Sequence, residues 1–203
     1  MKFDILLGLQ WGDEGKGKIV DVLGGNYDLI ARFQGGPNAG HSIEFNNKKF
    51  ILHLIPSGIF SRHTLNLIGN GVVIDPAVFK KEVESLGIPV EEVKERLVIS
   101  RKAHLILPGH RILDAAIESD KGCQKIGSTL RGIGPAYTDK VARNGLRAGD
   151  IFSADFEARY KKALAEHRRI AAMYNFTYEL AEYEAGWFEG IEMMRDFKII
   201  NSE

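Results

Sequence analysis

The sequence predicts a mixed α/β fold: a largely parallel central sheet, a phosphate loop after the first strand and a helix-rich C-terminal portion. Three observations carry this. Apolar runs of strand length alternate with helical patterns through the first half of the chain, as in sheets whose parallel strands are joined by helices. Amphipathic helical spacing dominates from about residue 154 onward. The 22 glycines are uneven, with nine from Gly8 to Gly40 and six from Gly122 to Gly149. Those two regions are where backbone must approach something closely or adopt a positive φ.

In chain order, residues 3–9 are a short apolar run ending in glycine-rich sequence and read as a buried strand. Residues 15–23 read as a helix closed by Gly24-Gly25, and 29–33 as a second strand. Residues 43–45 and 50–55 flank Asn46-Asn47-Lys48-Lys49, a hairpin signal. Residues 65–68 form a strand before Gly69-Asn70-Gly71. A helix spans 76–86, with Asp75 as N-cap and Pro76 at its first position. Short strands follow at 97–99 and 105–107, then a helix over 111–118. Phe156, Tyr160, Leu164, His167, Ala171 and Tyr174 recur at helical spacing, so 154–174 is an amphipathic helix and 178–197 another. The reading is one domain, 1–203, with its helical portion at about 154–203.

Composition limits the classes of function. Lys+Arg and Asp+Glu number 27 each in 203 residues, and 44% of residues are hydrophobic. This is globular composition, and it excludes disordered, collagen-like and coiled-coil classes. A formal net charge of zero argues against wholesale attraction to nucleic acid or an acidic membrane. Cys123 is the one cysteine, so neither an intrachain disulfide nor a cysteine-based metal site can form, which suits a reducing compartment. No apolar run approaches the roughly 20 residues that span a bilayer. The N-terminal residues lack a cleavage region. The expectation is a cytoplasmic protein with no membrane or nucleic-acid partner.

The first motif is Gln10-Trp11-Gly12-Asp13-Glu14-Gly15-Lys16-Gly17-Lys18. Gly12 and Gly17-Lys18 match the phosphate-loop spacing, in which backbone N–H groups and a helix N-terminus present positive charge and a lysine neutralises the outer phosphates. Ile19 stands where that loop usually carries the Ser or Thr that holds Mg²⁺. Either there is no metal or another oxygen supplies the ligand, and Asp13 is the natural substitute. An acidic pair inside a phosphate cradle repels a nucleotide unless a cation or a reacting proton offsets it, so Asp13 reads as a metal ligand or a base. The plain alternative is a strand-to-helix turn with solvated charges.

The second motif, Gln34-Gly35-Gly36-Pro37-Asn38-Ala39-Gly40-His41-Ser42, starts at the carboxyl end of a strand, where open α/β sheets place ligands. Asn38 and Ser42 can bond phosphate or base edges, and Gly40 can offer a bare carbonyl. His41 can give a proton to a leaving phosphate oxygen. A lone histidine is more often structural; the flanking glycines tilt this one toward chemistry. The segment 121–150 adds Lys121, Lys125, Arg131, Lys140, Arg143 and Arg147 against Asp139 and Asp150, a basic glycine-rich stretch suited to an anionic ligand.

Both motifs, together with Leu54-Ile55-Pro56-Ser57-Gly58-Ile59, Ile68-Gly69-Asn70-Gly71-Val72-Val73, Gly132-Ile133-Gly134-Pro135-Ala136-Tyr137 and Asp139-Lys140-Val141-Ala142-Arg143, resemble adenylosuccinate synthetase. The resemblance is dense over about residues 2–152 and thin after that. It implies GTP-dependent joining of inosine monophosphate (IMP) and L-aspartate through 6-phosphoryl-IMP, with Mg²⁺. It implies that Asp13 takes the N1 proton of IMP, that His41 acts as acid toward departing GDP, and that Asp13 and the Gly40 carbonyl hold the metal. Gly12 to Lys18 with Gly40, His41 and Ser42 would line the GTP phosphates. Asp13, Glu14, Gly15, Lys16, Asn38, Ala39, Gly40 and His41 would face IMP. Thr129 would meet the IMP phosphate, and Arg143 would reach the IMP phosphate of the other subunit, so a homodimer is implied.

Family members run well beyond residue 203, and their guanine-reading and aspartate-binding elements are not found here. The short chain alone is therefore expected to be inactive. Leu130 stands where many members carry glycine, and Ser42 where many carry threonine. Two other readings remain at this point: a generic phosphate-loop NTPase, which Ile19 argues against, and a non-catalytic module for phosphorylated ligands.

Overall fold

The computed structural model describes residues 3–9, 15–38, 40–45, 48–125 and 127–203. Helix α1 (Lys16–Gly24) leads into β1 (Leu29–Gly35), which is followed by the hairpin β2 (His41–Phe45) and β3 (Lys48–Leu52). A 3₁₀ turn at Ser57–Phe60 precedes β4 (Leu65–Ile74), α2 (Pro76–Ser85), α3 (Val90–Arg96), β5 (Leu97–Ser100) and β6 (His104–Leu105). Helices α4 (Pro108–Asp120), α5 (Ile133–Ala142), α6 (Phe156–Ala171), α7 (Leu180–Glu184) and α8 (Trp187–Arg195) come next, and β7 (Lys198–Ile200) follows them. No helix among the described residues is long and apolar enough to cross a membrane.

The central sheet has the order β1-β4-β5-β7 with every pair parallel, and β6 pairs parallel with the end of β4. Parallel strands need helical crossovers and are buried on both faces. Ile68, Val72, Val73 and Ile74 of β4 are accordingly inaccessible, as are Leu97 and Ile99 of β5. Where β1 passes β4 the register shifts between Arg32 and Gln34. Gly69 and Gly71, expected to follow a strand, lie inside β4 instead. The backbones come so close there that a Cβ on Gly71 would sit 2.1 Å from the Phe33 carbonyl oxygen.

Asp75 caps α2 as the sequence predicts, accepting from the N–H groups of Ala77 and Val78. The helix expected over 178–197 is two helices. Gly186 at φ 71 turns the chain between α7 and α8, and it lets Gly190 press against the start of α2. A Cβ at 190 would fall 2.1 Å from the Pro76 carbonyl oxygen. Trp187 is fully buried, donates its indole N–H to the Ile106 carbonyl at 2.8 Å and stacks on Tyr160 at 5.0 Å. Helices α3 and α5 and strand β7 have no counterpart in the sequence reading.

Two further expectations are corrected. The hairpin pairs Phe45 with Lys48 and forms its own two-stranded sheet, so Lys48 and Lys49 belong to a strand; the turn residues 46 and 47 lie outside the described residues. Residues 3–9 form no strand. Phe3 is 83% and Leu9 91% exposed, and the Tyr27 hydroxyl donates to Asp4 of this segment. A strand exists only when a neighbour takes its N–H and C=O groups. Among the described residues no strand pairs with this run.

Candidate functional site

Helix α1 starts at Gly15, which is left-handed at φ 83, and the N–H of Lys18 returns to the Gly15 carbonyl at 3.0 Å. A left-handed residue costs glycine nothing, and the turn exposes the first N–H groups of the helix to an anion. Gly17 is buried and its carbonyl accepts from the Ser57 hydroxyl at 3.1 Å, which fixes α1 to the 3₁₀ turn. Lys16 is half-buried and Lys18 exposed. Gly12, Asp13 and Glu14 lie outside the described residues.

Helix α1, which carries the end of the first motif, packs beside β2, which opens with the end of the second. His41 and Ser42 open β2, opposite Leu52 and Ile51, with Ser42 exposed. A Cβ on Gly40 would lie 2.7 Å from the Ile51 side chain and 3.0 Å from that of His53. Asn38 is exposed, and Ala39 lies outside the described residues.

Arg32 ties the start of this motif down. Its guanidinium donates to the Gly36 carbonyl at 2.9 Å, to the Gln34 carbonyl at 3.4 Å and to the His53 carbonyl. The buried Glu82 of α2 secures the far side, accepting from the N–H groups of His53, Leu54 and Ile55. Burial pushes the Glu82 carboxyl up to about 7, against those three N–H groups and Arg32.

The third region is held by α4. Glu118 accepts from the N–H groups of Gly127 at 2.7 Å and Ser128 at 3.2 Å, and Asp114 from the Ser128 hydroxyl at 2.8 Å and the Gly132 N–H at 2.9 Å. The Lys121 ammonium, aided by the two loop N–H groups and opposed by burial, holds the Glu118 carboxyl down at about 2. Thr129 is exposed at the middle of this loop. Tyr137 of α5 receives a bond from the Gly35 N–H at 3.0 Å and donates to the Gly71 carbonyl at 2.8 Å. The start of α5 thus rests on the carboxyl end of β1. Arg143 is the exposed, left-handed C-cap of α5 at φ 64.

Leu130 is also left-handed, at φ 54, and 45% exposed. That conformation costs a leucine roughly 1–2 kcal/mol, while glycine loses roughly 0.5–1 kcal/mol of chain entropy on folding. Leu130→Gly is expected to leave stability unchanged or raise it by up to about 1 kcal/mol. Urea denaturation measures this, and a clear loss of stability would show that the leucine side chain itself holds the loop.

Asp139 of α5 joins three helices. Its Oδ2 lies 2.9 Å from Nε2 of both His110 on α4 and His167 on α6. The Leu107 N–H donates to His110 Nδ1 at 3.0 Å, so the proton of the neutral ring sits on Nε2 and points at Asp139. Burial lowers the His110 pKa. Burial raises that of Asp139, but the two imidazole hydrogen bonds outweigh it and hold the carboxyl below its ordinary value. The three ligand-type atoms lie within 4.8 Å of one another, the spacing of a metal site. The His110 tautomer argues for a clamp instead, because a nitrogen bearing hydrogen has no lone pair for a cation. Gly109 is required by the same clamp: a Cβ there would fall 2.3 Å from His167 Nδ1.

Sequence reasoning passed over Arg32, Glu82, Asp114, Glu118 and Tyr137, and gave no role to Asp139 or His110. One signal was available: His110, Asp114 and Glu118 recur at i, i+4 and i+8, one face of a helix. A separate cavity of about 320 Å³ at the carboxyl ends of β5 and β7 is lined by Arg101, Lys102, Arg147 and Asp150, away from the residues singled out by sequence.

A mainly parallel α/β sheet, with glycine-rich loops gathered at the carboxyl end of β1 and the start of α1, defines the class of α/β proteins that take ligands at strand ends. The family model for adenylosuccinate synthetase matches residues 5–201, and the chain belongs to the adenylosuccinate synthetase family. The adenylosuccinate synthetase of Bacteroides fragilis is 60% identical over 203 residues, covering 100% of this chain and 48% of its own. That of Flavobacterium johnsoniae is 60% identical over 205 residues with the same shares. The fully ligated adenylosuccinate synthetase from Plasmodium falciparum superposes with a TM-score of 0.83 at 37% identity, over 96% of this chain and 45% of that one. The chain spans about half the length of the curated relatives it matches.

Proposed function

We propose that this chain carries the IMP- and GTP-phosphate-binding part of an adenylosuccinate synthetase, as one incomplete α/β domain of a cytoplasmic homodimer. In this reading Asp13 takes the N1 proton of IMP, O6 attacks the γ-phosphate of GTP, and His41 gives a proton to the departing GDP. The amine of L-aspartate then displaces phosphate from C6. Phosphoryl transfer asks mainly for positioning and charge neutralisation, and Lys16, Lys18 and the start of α1 supply positive charge.

The single observation that carries the reading is the packing of α1, with its left-handed Gly15 start, beside β2. That contact supports a site shared by the end of the phosphate loop and Gly40, His41 and Ser42. The donor set suits Mg²⁺: the Asp13 carboxylate and the Gly40 carbonyl are both hard oxygens, and Gly40 occupies a spot whose neighbours leave no room for a side chain. Bound there, the ion would neutralise phosphate charge. Arg143 acting on the partner's IMP is supported by its position. Helix α5 is 10 residues long, about 15 Å, so Thr129 and Arg143 lie toward its opposite ends.

Calorimetry on the purified chain with IMP and with GTP tests the reading. IMP binding is expected, with no adenylosuccinate formed. GTP binding without any IMP binding would identify a general phosphate-loop protein and overturn it.

A further inference from the structure

We infer that Asp114 and Glu118 of α4 are positioning residues for phosphate recognition by the Thr129 loop, an inference that rests on the IMP reading above. The loop 127–132 contains three left-handed residues, Gly127, Leu130 and Gly132. Such a backbone does not hold its shape unaided. Here the carboxylates, one helical turn apart, fix it from one side. Glu118 takes the N–H groups of Gly127 and Ser128, and Asp114 takes the Ser128 hydroxyl and the Gly132 N–H. The Ser128 hydroxyl oxygen in turn accepts from the Leu130 N–H at 3.2 Å, closing the loop around Thr129.

The consequence is a sorting of donors. The N–H groups of Gly127, Ser128 and Gly132 are committed to α4 and that of Leu130 to the Ser128 hydroxyl, while among the described residues no hydrogen bond engages the N–H or hydroxyl of the exposed Thr129. Those two groups remain available on an exposed residue, and an N–H beside a hydroxyl is a donor pair a phosphate can use. The carboxylates do not meet the anion themselves. Their charge is spent on the inner side of the loop, and Lys121 offsets Glu118 at 2.9 Å. They act through the loop backbone.

Isothermal titration of the chain with IMP and, separately, with GTP tests this, with thermal melting as the folding control. Asp114→Asn leaves one acceptor oxygen where the Ser128 hydroxyl and the Gly132 N–H now have two, and is expected to weaken IMP binding about 3- to 10-fold, with GTP affinity unchanged. Glu118→Ala behaves alike, while Glu118→Gln keeps an oxygen for the Gly127 and Ser128 N–H groups and stays within about 3-fold of the parent. If Asp114→Asn does not fold, Ser128→Ala removes the same loop bond without stranding a charge and is expected to weaken IMP about 3- to 10-fold. Parent-like IMP affinity in Asp114→Asn or Ser128→Ala would overturn the positioning role while leaving the IMP reading intact. An unmodified chain that binds no IMP would overturn both. Equal losses for IMP and GTP would show that α4 only supports the fold.

Discussion

Asp13→Ala, made in a chain of full family length, is expected to lower turnover by about 10²–10⁴-fold, the usual contribution of a positioned general base. GTP affinity should stay within a small factor. The reason lies in the loop's own chemistry. The sequence puts Asp13 inside a phosphate-loop motif, between Gly12 and Lys16-Gly17-Lys18, and a carboxylate in a cradle built for anions is a net cost unless it moves a proton or holds a cation. Steady-state kinetics paired with GTP titration separates the roles, since equal loss of turnover and GTP binding would mean that Asp13 only supports the loop. The variant also probes the dimer. If the protein is the proposed homodimer with Arg143 acting across subunits, mixing it with Arg143→Leu would give mixed dimers in which one site carries both lesions and the other neither. Activity should recover to about a quarter of the parent if subunits exchange at random. An arginine serving its own subunit would give no recovery.

Asp139→Ala is expected to destabilise the chain by about 2–5 kcal/mol, because two imidazole N–H groups on α4 and α6 lose their acceptor in a buried place, at roughly 1–3 kcal/mol each. Asp139→Asn keeps one acceptor oxygen and should lose less. The pH dependence follows from the signs. The Asp139 carboxyl lies below its ordinary value in the fold. Its contribution is therefore complete above the unfolded pKa of about 3.9 and is lost as pH falls toward the folded value. His110, also lowered, adds acid lability beginning near the unfolded value of about 6.5. Glu82, raised to about 7, works the other way: the unfolded carboxyl ionises above about 4.5 while the folded one keeps its proton, so stability falls as pH rises through that window. The difference between parent and Asp139→Ala, read from denaturant melts, isolates the clamp and should narrow below about pH 4. A constant difference down to pH 2 would mean that the carboxylate matters for packing, not for charge.

The legible parts of this fold were those with strong local chemistry. Asp75-Pro76 announces the start of α2 with a cap and a pre-set φ, and the 154–174 pattern announces α6 through the spacing of Phe156, Tyr160 and Leu164. The motifs at 15–18 and 40–42 were legible as a candidate site because glycine, lysine and strand-end placement are local signals. What stayed hidden depends on partners distant in sequence. Strand β7 is three residues long and becomes a strand only by lying along β5. Helix α5 begins with Ile133-Gly134-Pro135, a poor helical signal that Asp114, Asp139 and Tyr137 rescue through tertiary bonds. The run at 3–9 shows the converse: strand propensity with no strand among the described residues paired to it. The carboxylates of α4 read as solvated helix charges until the loop they hold is seen.

The threefold engagement of β4 has a consequence for how the molecule breathes. β4 pairs with β1, β5 and β6, so its amides are released only when the whole sheet comes apart. In the sheet β1 pairs with β4 alone among the described residues, with Leu29 and Phe33 about half exposed. Local opening is cheapest where few buried contacts are lost. The segment from α1 through β1 can therefore detach while β4, β5 and the helices packed on them stay folded. Of the segments proposed above to meet phosphate, the one from α1 to β2 lies on this loosely held side, whereas the Thr129 loop is anchored to α4. In the proposed function, a ligand that spans both segments would order a soft half against a stiff one and would register as protection spreading outward from β4.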